Sequence, residues 1–519
     1  MPDTAVPLTA VSARWWQNAV VYQIYPRSFA DANGDGVGDL RGLCERLDHV
    51  QALGVDAVWV SPVFRSPMAD AGYDISDHCD IDPLFGTLAD ADRLIEEAHA
   101  RGLRLLFDFV PNHTSDQHPW FIESRASRQN PKRDWYLWRD EPNNWRAALG
   151  AGSAWTWDAP TQQHYLHLFL PQQPDLNWRH PDVVQAMHGV LRFWLDRGVD
   201  GFRIDVAHCT GKDPGFADDP RCLAGEPLSS FNDQLHSHEV LRGLRRLVDG
   251  YPGERVLVGE VNIRSPERVV RYYGEGDELH LSFNFPPLDA PWDPLVFRSC
   301  IREVERLMQP AHVWPTWVLS NHDNRRQRSR YGGSMARARA AGLLLLTLRG
   351  TPFVFQGEEL GLEDAVVLPE RQVDPGGRDG CRAPMPWERA APHGWRGADT
   401  WLPFPPDASA LSVQAQQEDD ESMLNWYRRL LHARRASPAL RLGQWEELPG
   451  PPEVLAYRRR FGEDQRVVCI NFSARAQAQP VPGDWRVQLA TESARQGRDY
   501  DGLVQAEQGL LLLPAGSAP

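Results

Sequence analysis

The sequence contains few cysteines and lacks both a secretory signal and a long apolar run. Its seven cysteines are an odd number without the paired spacing of a metal site, which favours a reducing compartment over a disulfide framework. Residues 1–14 have no basic start followed by an apolar core, so export is not indicated. The most apolar run, residues 340–355, is interrupted by Arg349, Gly350 and Pro352 and is too short to cross a bilayer. We therefore expect a cytoplasmic protein without a membrane partner.

Positive charge is also scarce relative to negative charge. The formal net charge of -15 argues against nucleic acid or an anionic membrane as the partner, because either would be repelled. The 20 tryptophans are many for this length, and flat aromatic faces commonly bind uncharged sugar rings, although most tryptophans simply fill cores. We therefore expect no nucleic-acid partner, and the sequence leaves open whether the chain is a monomer or a small homo-oligomer.

Apolar runs with strand and helix periodicity alternate along most of the 519 residues. The predicted strands are residues 20–29, 55–64, 103–110, 201–207, 255–261, 279–285, 316–320 and 352–355. Helical patterns such as residues 40–53 and 88–100 lie between them. Roughly eight repeats of this alternation predict an α/β fold of the (β/α)8 TIM barrel type. A doubly wound open sheet is the alternative, but no glycine-rich phosphate loop follows the first strand.

Two regions interrupt the alternation, and the pattern changes near the C-terminus. A long insertion rich in tryptophan and proline follows the third strand, and residues 363–403 form an irregular stretch after the eighth. Beyond about residue 440, short alternating runs predict an antiparallel β-sandwich. The predicted organisation is a first barrel segment at 1–113, an inserted subdomain at 114–180, a second barrel segment at 181–439 and a C-terminal β domain at 440–519.

One predicted strand contains an arginine and a carboxylate. Phe202 and Ile204 alternate with Arg203 and Asp205, so the apolar and charged side chains point to opposite sides of the strand. Buried charges are costly unless they are paired or used. For this segment alone, a structural ion pair and a functional pair remain equally good interpretations.

Carboxylates lie at or just beyond the carboxyl ends of three different predicted strands, at Asp205, Glu260 and Asp323. In a barrel, the carboxyl ends of the strands meet at one face, so these three side chains are expected to converge. Two carboxyl groups that flank a bond, one nucleophilic and one protonating the leaving oxygen, are what retaining glycoside cleavage requires. A third would stabilise the cationic transition state. Each acid alone could be an ordinary ion-pair member.

An oxygen-rich loop precedes the first predicted helix. Its potential ligands occupy positions one, three, five, seven and nine of a calcium-type loop, with glycine at position six. They are Asp31, Asn33, Asp35, the carbonyl of Val37, and Asp39. Gly42 stands where position twelve usually carries an acid, so the alternative is a simple Asx-rich turn. We expect a structural metal ion here and no organic cofactor.

Five motifs match one known family. They are residues 108–113 (DFVPNH), 201–205 (GFRID), 259–260 (GE), 320–323 (SNHD) and 173–177 (QPDLN). With them, the chain resembles an α-glucosidase of the α-amylase superfamily, glycoside hydrolase family 13, close to the oligo-1,6-glucosidase group. The last motif matches that group's own marker. The resemblance extends from about residue 15 to residue 387.

The resemblance implies roles for the charged residues. Asp205 would be the nucleophile that forms a β-glucosyl ester, and Glu260 would be the acid and then the base. Asp323 would hold sugar hydroxyl groups and favour the distorted transition state. Arg203 would keep the nucleophile ionised through its positive charge. The activity implied is exo-acting release of glucose from short α-glucosides such as maltose or isomaltose.

The resemblance also implies a closed pocket around the terminal glucose. Two histidines would hydrogen-bond the sugar, three residues would close its far side and one aromatic ring would form a wall. In that order they are His113 and His322; Asp70, Tyr73 and Arg382; and Phe169. In this family the loop at residues 31–39 binds a structural calcium or magnesium ion.

Bond preference and two other activities remain open at this level. Val206, after the proposed nucleophile, is linked to α-1,6 preference in the oligo-1,6-glucosidase group, but the following sequence also resembles maltose-acting enzymes. A transglucosylase or sucrose-active enzyme on the same scaffold is the main alternative. The RLDRD loop of sucrose isomerases is absent, because residues 324–328 read NRRQR. A non-catalytic sugar-binding relative is disfavoured because all three acids are present.

Overall fold

A parallel eight-stranded sheet forms the centre of the computed structural model, which describes residues 13–150, 152–219, 231–263, 265–397 and 399–517. The strands are β1 (Val21–Ile24), β2 (Ala57–Val60), β3 (Arg104–Phe109), β4 (Gly201–Ile204), β5 (Val256–Gly259), β6 (Leu281–Ser282), β7 (Thr316–Val318) and β8 (Thr351–Phe355). Their order is 6-5-4-3-2-1-8-7, and all neighbours pair in parallel. The Thr316 hydroxyl donates to the Ser282 carbonyl at 2.8 Å, which joins the two end strands. The predicted (β/α)8 barrel is confirmed.

Helices cover the outside of the barrel. In the part of the chain that the structure describes, the helices of five or more residues are Leu40–Glu45, Leu47–Leu53, Leu88–Ala100, Pro119–Ala126 (in the insertion after β3), Pro181–Asp196, Leu235–Asp249, Pro266–Val270, Pro294–Met308, Met335–Thr347, Val413–Gln417, Met423–Ala436 and Pro438–Leu442. Single turns occur at Trp15–Asn18, Pro286–Asp289 and Gln327–Arg330. None of the helices in the described ranges combines the length and the apolar character needed to traverse a bilayer.

Local sequence explains where two elements differ from prediction. The first strand ends at Ile24 because Pro26, which has no amide hydrogen, begins a 3-10 turn at Pro26–Ser28. The predicted helix at residues 40–53 is two helices, since Arg46 leaves helical geometry at φ -108° and ψ 3°. The second of them ends at Leu53 and is capped by Gly54, whose φ of 96° suits a glycine.

Smaller sheets lie outside the barrel. The insertion after β3 contains an antiparallel sheet of Trp138–Arg139, Gln163–Leu166 and Trp155–Asp158, and a hairpin pairs Phe64–Arg65 with Asp77–Ile81. The C-terminal sheet has strands β9 (Gln444–Glu447), β10 (Val454–Phe461), β11 (Asp464–Asn471), β12 (Trp485–Ala490) and β13 (Gly509–Pro514), in the order 9-10-11-13-12. A second antiparallel pair joins Gln477–Ala478 to Leu503–Val504. The antiparallel C-terminal β domain is therefore confirmed, while the domain boundaries remain a prediction.

Candidate active site

A buried arginine on β4 connects three carboxyl groups at the carboxyl end of the barrel. Arg203 Nη1 donates to Asp108 Oδ1 and to Asp205 Oδ1, both at 2.7 Å. Its Nη2 donates to Glu260 Oε2. These partners follow or end β3, β4 and β5, whose ends lie side by side in the sheet. The charged pair in the sequence of β4 is therefore part of an ion cluster that three strands assemble.

Burial dominates the electrostatics of this cluster. It raises the pKa of Asp205 well above the usual range of an aspartate, and Arg203 opposes that rise. Burial also raises the pKa of Asp108, to about 6. Arg203 thus acts in the expected direction on Asp205, but the loss of hydration has the larger effect. Because one guanidinium cannot balance three carboxylates, this cluster favours keeping a proton.

The three carboxyl groups proposed for chemistry are accessible to different degrees. The side chains are 9% exposed at Asp205, 14% at Glu260 and 29% at Asp323, whereas Asp108 is fully enclosed. A ligand that enters from solvent can therefore reach the first three but not Asp108. Asp108 instead serves as an internal partner of Arg203.

His322 and Tyr73 link this cluster to Asp323. The Gln23 amide nitrogen lies 2.8 Å from His322 Nδ1, and His322 Nε2 lies 2.6 Å from the Tyr73 hydroxyl. The Tyr73 hydroxyl donates to Asp108 Oδ2 at 3.0 Å. Since the Gln23 amide can only donate here, this network assigns the His322 proton to Nε2. Burial lowers the pKa of His322 to about 3, so the ring is neutral at working pH.

Two arginines hold Asp323. Its Oδ1 accepts from Arg378 Nη1 at 2.9 Å and from Arg382 Nη2 at 3.1 Å. Burial by itself would raise the pKa of Asp323, but His322, Arg378 and Arg382 together hold it well below the usual range. Asp323 is therefore an ionised acceptor whose second oxygen lies 3.3 Å from His322 Nε2.

The remaining predicted residues surround Asp70. Arg378 Nη2 donates to Asp70 Oδ1 at 2.6 Å, and the Gln173 amide donates to Asp70 Oδ2 at 3.1 Å. The same amide nitrogen lies 3.1 Å from His113 Nε2, and the His113 ring centre is 5.3 Å from that of Phe169. Burial lowers the pKa of His113 to about 3. One continuous contact network therefore contains every sugar-binding and catalytic residue proposed from the sequence.

Two arginines lie in this part of the network, and one of them was not predicted from the sequence. Arg382, predicted with Asp70 and Tyr73 to close the far side of the sugar ring, donates to Asp323 and, through Nε, to the His322 carbonyl at 2.7 Å. Arg378, which was not among the predicted residues, is the cationic partner of Asp70. The only sequence signal for Arg378 is its four-residue spacing from Arg382 in the glycine-containing stretch that follows Asp374.

This arrangement can be compared with known proteins. The family description Alpha amylase, catalytic domain, matches residues 23–443, which is most of the chain. The chain belongs to the α-amylase family of glycoside hydrolases.

Members of this family with curated names match it over nearly its whole length. A probable α-glucosidase of Rhizobium meliloti (strain 1021) is 41% identical and covers 93% of this glycoside hydrolase and 94% of that protein. An oligo-1,6-glucosidase of Parageobacillus thermoglucosidasius is 36% identical, with 90% and 92% covered. Among solved structures, the α-glucosyl transfer enzyme XgtA is 40% identical with a TM-score of 0.90, covering 97% of this chain and 100% of that one. The trehalulose synthase MutB is 34% identical with a TM-score of 0.91, covering 96% and 100%.

A strained residue follows Asp205 in this glycoside hydrolase. Val206 has φ 33° and ψ 50°, left-handed geometry that is rare for a β-branched residue and costs on the order of 1–3 kcal/mol. Its amide donates to Glu260 Oε2 at 3.2 Å, and the next amide, of Ala207, donates to the Glu260 carbonyl at 2.9 Å. The strained turn therefore binds the segment after Asp205 to the side-chain carboxyl group and to the backbone carbonyl of Glu260.

The loop at residues 31–39 folds around its own carboxylates. Asp31 accepts from the amides of Gly34 (2.6 Å), Gly36 (3.0 Å) and Gly397 (3.1 Å). Asp39 accepts from the amides of Ala32, Asn33 and Gly42 at 2.9, 3.2 and 2.7 Å. Within the described ranges, no group of three or more His, Cys, Asp or Glu side chains is arranged to hold a metal. Oxygen atoms are the ligands that a hard cation prefers, so the donors of this loop fit such an ion. The ion itself remains a prediction.

Proposed function

We propose that this glycoside hydrolase is an exo-acting, retaining α-glucosidase that releases glucose from the non-reducing end of short α-glucosides. The observation that carries the proposal is the pair of accessible carboxyl groups, Asp205 and Glu260, on one buried guanidinium at adjacent strand ends. Full-length relatives named α-glucosidase and oligo-1,6-glucosidase support the same assignment.

The reaction proceeds in two displacements. A carboxylate oxygen of Asp205 attacks the anomeric carbon while Glu260 gives its proton to the glycosidic oxygen, so that bond breaks and a β-glucosyl ester forms. Glu260, now ionised, takes a proton from water, whose oxygen attacks the same carbon and releases Asp205. Asp323, ionised and held by Arg378 and Arg382, accepts hydrogen bonds from sugar hydroxyl groups as the ring distorts.

Charge favours a neutral sugar as the substrate. Six carboxyl groups, at Asp70, Asp108, Asp205, Glu260, Asp323 and Asp374, face the guanidinium groups of Arg203, Arg378 and Arg382 in one network. An anionic glucosyl unit would be repelled by this excess of negative charge. Uncharged glucosides can instead donate their hydroxyl hydrogens to the carboxylates.

Transfer of glucose to an acceptor other than water is the second candidate. The solved structures of an α-glucosyl transfer enzyme and a trehalulose synthase support it through their similarity to this chain. The same glucosyl ester would serve both outcomes, and only the attacking oxygen differs. Bond preference rests in part on Val206, whose strained backbone sits directly after the nucleophile.

The proposed function is tested by product analysis. The protein is incubated with maltose, isomaltose, sucrose and trehalose, and products are followed by chromatography and by NMR of the first sugar released. We expect glucose from maltose or isomaltose, initially as the α-anomer because two inversions restore the configuration. Longer products would favour the transfer reaction. Initial β-glucose would contradict the retaining mechanism, and no turnover of any glucoside would contradict the proposed function.

The loop at residues 31–39 is proposed to hold a structural calcium or magnesium ion, supported by its five regularly spaced oxygen donors. Binding at one hundred times Kd would add about 2.7 kcal/mol to the free energy of unfolding. We therefore expect Tm to rise when calcium or magnesium is returned to EDTA-treated protein.

Asp35→Asn is the matched variant for this measurement. Asp35 is exposed, and an asparagine can still accept from the Val37 amide, as Asp35 does at 2.8 Å. We expect Asp35→Asn to keep the Tm of the EDTA-treated protein but to lose most of the rise on adding the metal. Equal rises in both proteins would place the ion elsewhere, and no rise in the unmodified protein would favour a metal-free Asx turn.

A further inference from the structure

Asp374, in the loop after β8, binds both arginines that hold Asp323. Its side chain is 1% exposed. Oδ2 accepts from the Arg378 backbone amide at 2.8 Å and from Arg378 Nε at 2.9 Å. Oδ1 accepts from Arg378 Nη2 at 2.6 Å and from Arg382 Nη1 at 3.1 Å. This carboxylate is therefore fully engaged by the two arginines and leaves no oxygen for a ligand.

The two guanidinium groups transmit the position of Asp374 to the sugar-binding carboxylates. A guanidinium is planar and its donors form a rigid fork, so fixing one edge also fixes the opposite edge. Arg378 reaches Asp70 and Asp323 with the nitrogens that Asp374 helps to orient, and Arg382 reaches Asp323. Without Asp374, Arg378 would lose the acceptor of Nε and could rotate away from both partners.

Charge sharing gives Asp374 a second effect. Arg378 and Arg382 carry two positive charges, and Asp323 and Asp70 alone would match them one to one. Asp374 is a third carboxylate bound to the same two arginines, so it neutralises part of their positive charge. Asp323 is therefore held in place with less of its own negative charge neutralised. Asp323 can then form stronger hydrogen bonds with hydroxyl groups of a neutral sugar.

The local backbone is built to keep this contact short. Asp379 Oδ2 accepts from the amides of Val373 and Asp374, at 2.8 and 3.2 Å, which fixes the start of the turn. At Gly376, an added Cβ would lie 2.9 Å from Arg378 Nε and 3.1 Å from Asp374 Oδ2. A side chain at position 376 would therefore push the two partners apart.

We infer that Asp374 is a positioning residue for the glucose-binding site: it orients Arg378 and Arg382 so that Asp70 and Asp323 can hold the sugar. The inference rests on the proposed function for the identity of the sugar. The carboxylate itself touches no substrate.

The test compares Asp374→Asn and Asp374→Glu with the unmodified protein. Each is assayed for KM and kcat on p-nitrophenyl α-glucoside, for the inhibition constant of glucose, and for Tm. Since Asp374→Asn weakens charge-assisted hydrogen bonds to both arginines, we expect kcat/KM to fall about 10- to 100-fold. The inhibition constant of glucose should rise with KM, because the sugar-binding carboxylates are misplaced. Asp374→Glu keeps the charge and should recover part of the loss.

Asp158→Asn is the matched control for a purely structural effect. Asp158 is equally buried and accepts from Arg125 at 2.7 Å, but it lies in the sheet of the insertion, outside the network described above. We expect it to lower Tm without changing KM or the glucose inhibition constant.

Two outcomes would overturn the inference. One is a folded Asp374→Asn protein with unchanged KM and unchanged glucose affinity. The other is an Asp158→Asn protein whose KM and glucose inhibition constant rise as much as those of Asp374→Asn. If Asp374→Asn does not fold, Asp374→Glu decides alone, since an extra methylene must displace the guanidinium groups and weaken glucose binding. If the unmodified protein cleaves no glucoside, the proposed function fails, whereas calorimetric binding of glucose to the variants still tests the positioning role.

Discussion

Asp205→Asn is expected to lower kcat on p-nitrophenyl α-glucoside by about 10⁴-fold or more, which is the loss typical when a covalent nucleophile is removed. An amide cannot form the glucosyl ester, and the neutral side chain leaves the oxocarbenium-like transition state without its nearest negative charge. The fold should persist, because Arg203 keeps its bonds to Asp108 and Glu260. Losing one of three crowded carboxyl groups also reduces their mutual repulsion.

The decisive measurement for Asp205 is the covalent intermediate. A fluorinated glucosyl fluoride slows breakdown of the ester, so mass spectrometry of peptides should find the added sugar on the Asp205 peptide of the unmodified protein and not on the variant. Asp108→Asn is the matched control, because Asp108 binds the same Arg203 nitrogen at the same 2.7 Å but is enclosed. It should still accumulate the ester, although more slowly. An ester on the Asp205→Asn protein would reject the nucleophile assignment.

The pH dependence of kcat/KM for the unmodified enzyme also tests the role of Asp205 as the nucleophile. Attack requires ionised Asp205, and burial raises the pKa of this carboxyl group. Activity should therefore be lost as pH falls through that raised pKa, at a higher pH than an exposed aspartate would give. Arg203 opposes the shift, so conditions that weaken this ion pair should move the acid limb further toward neutral pH.

The barrel and the catalytic strand could be predicted because they depend on periodic patterns. Alternation at Phe202, Arg203, Ile204 and Asp205 fixes which side chains face the core, and parallel strands bring their carboxyl ends to one face. Both statements need only the spacing of apolar residues. The same two facts predict that Asp205 and Glu260 lie at one face of the barrel, whereas the bond from Arg203 to Glu260 was not predicted.

The partner of Asp70 could not be predicted, because the loop after β8 has no repeating pattern. Arg378 precedes a short 3-10 turn, Asp379–Arg382, and Arg382 ends it, so the directions of both side chains depend on the buried contacts of Asp374. The strained geometry of Val206 is also invisible in sequence, since a β-branched residue predicts extended backbone. The hydrogen bond that its backbone amide donates to the Glu260 side chain offsets part of that cost.

Glu260 is the proposed general acid, and its removal should affect substrates with poor leaving groups most. Glu260→Gln should lower the rate on maltose or isomaltose by about 10³-fold, within the range of general acid–base catalysis, because a sugar is a poor leaving group without a proton. p-Nitrophenol leaves readily as an anion, so formation of the ester from p-nitrophenyl α-glucoside should fall much less. Breakdown of the ester then limits turnover, since the glutamine cannot take a proton from water.

Azide separates these two steps. As an anion it needs no base, so it should restore turnover of the Glu260→Gln protein and yield α-glucosyl azide by attack on the β-glucosyl ester. Glu305→Gln is the matched control, because Glu305 is a buried glutamate bonded to Arg349 at 2.7 Å on the helix Pro294–Met308, and it should leave the leaving-group dependence unchanged. Equal losses on the disaccharide and the nitrophenyl substrate, without azide rescue, would mean that Glu260 supports the fold of the site rather than protonating the leaving group.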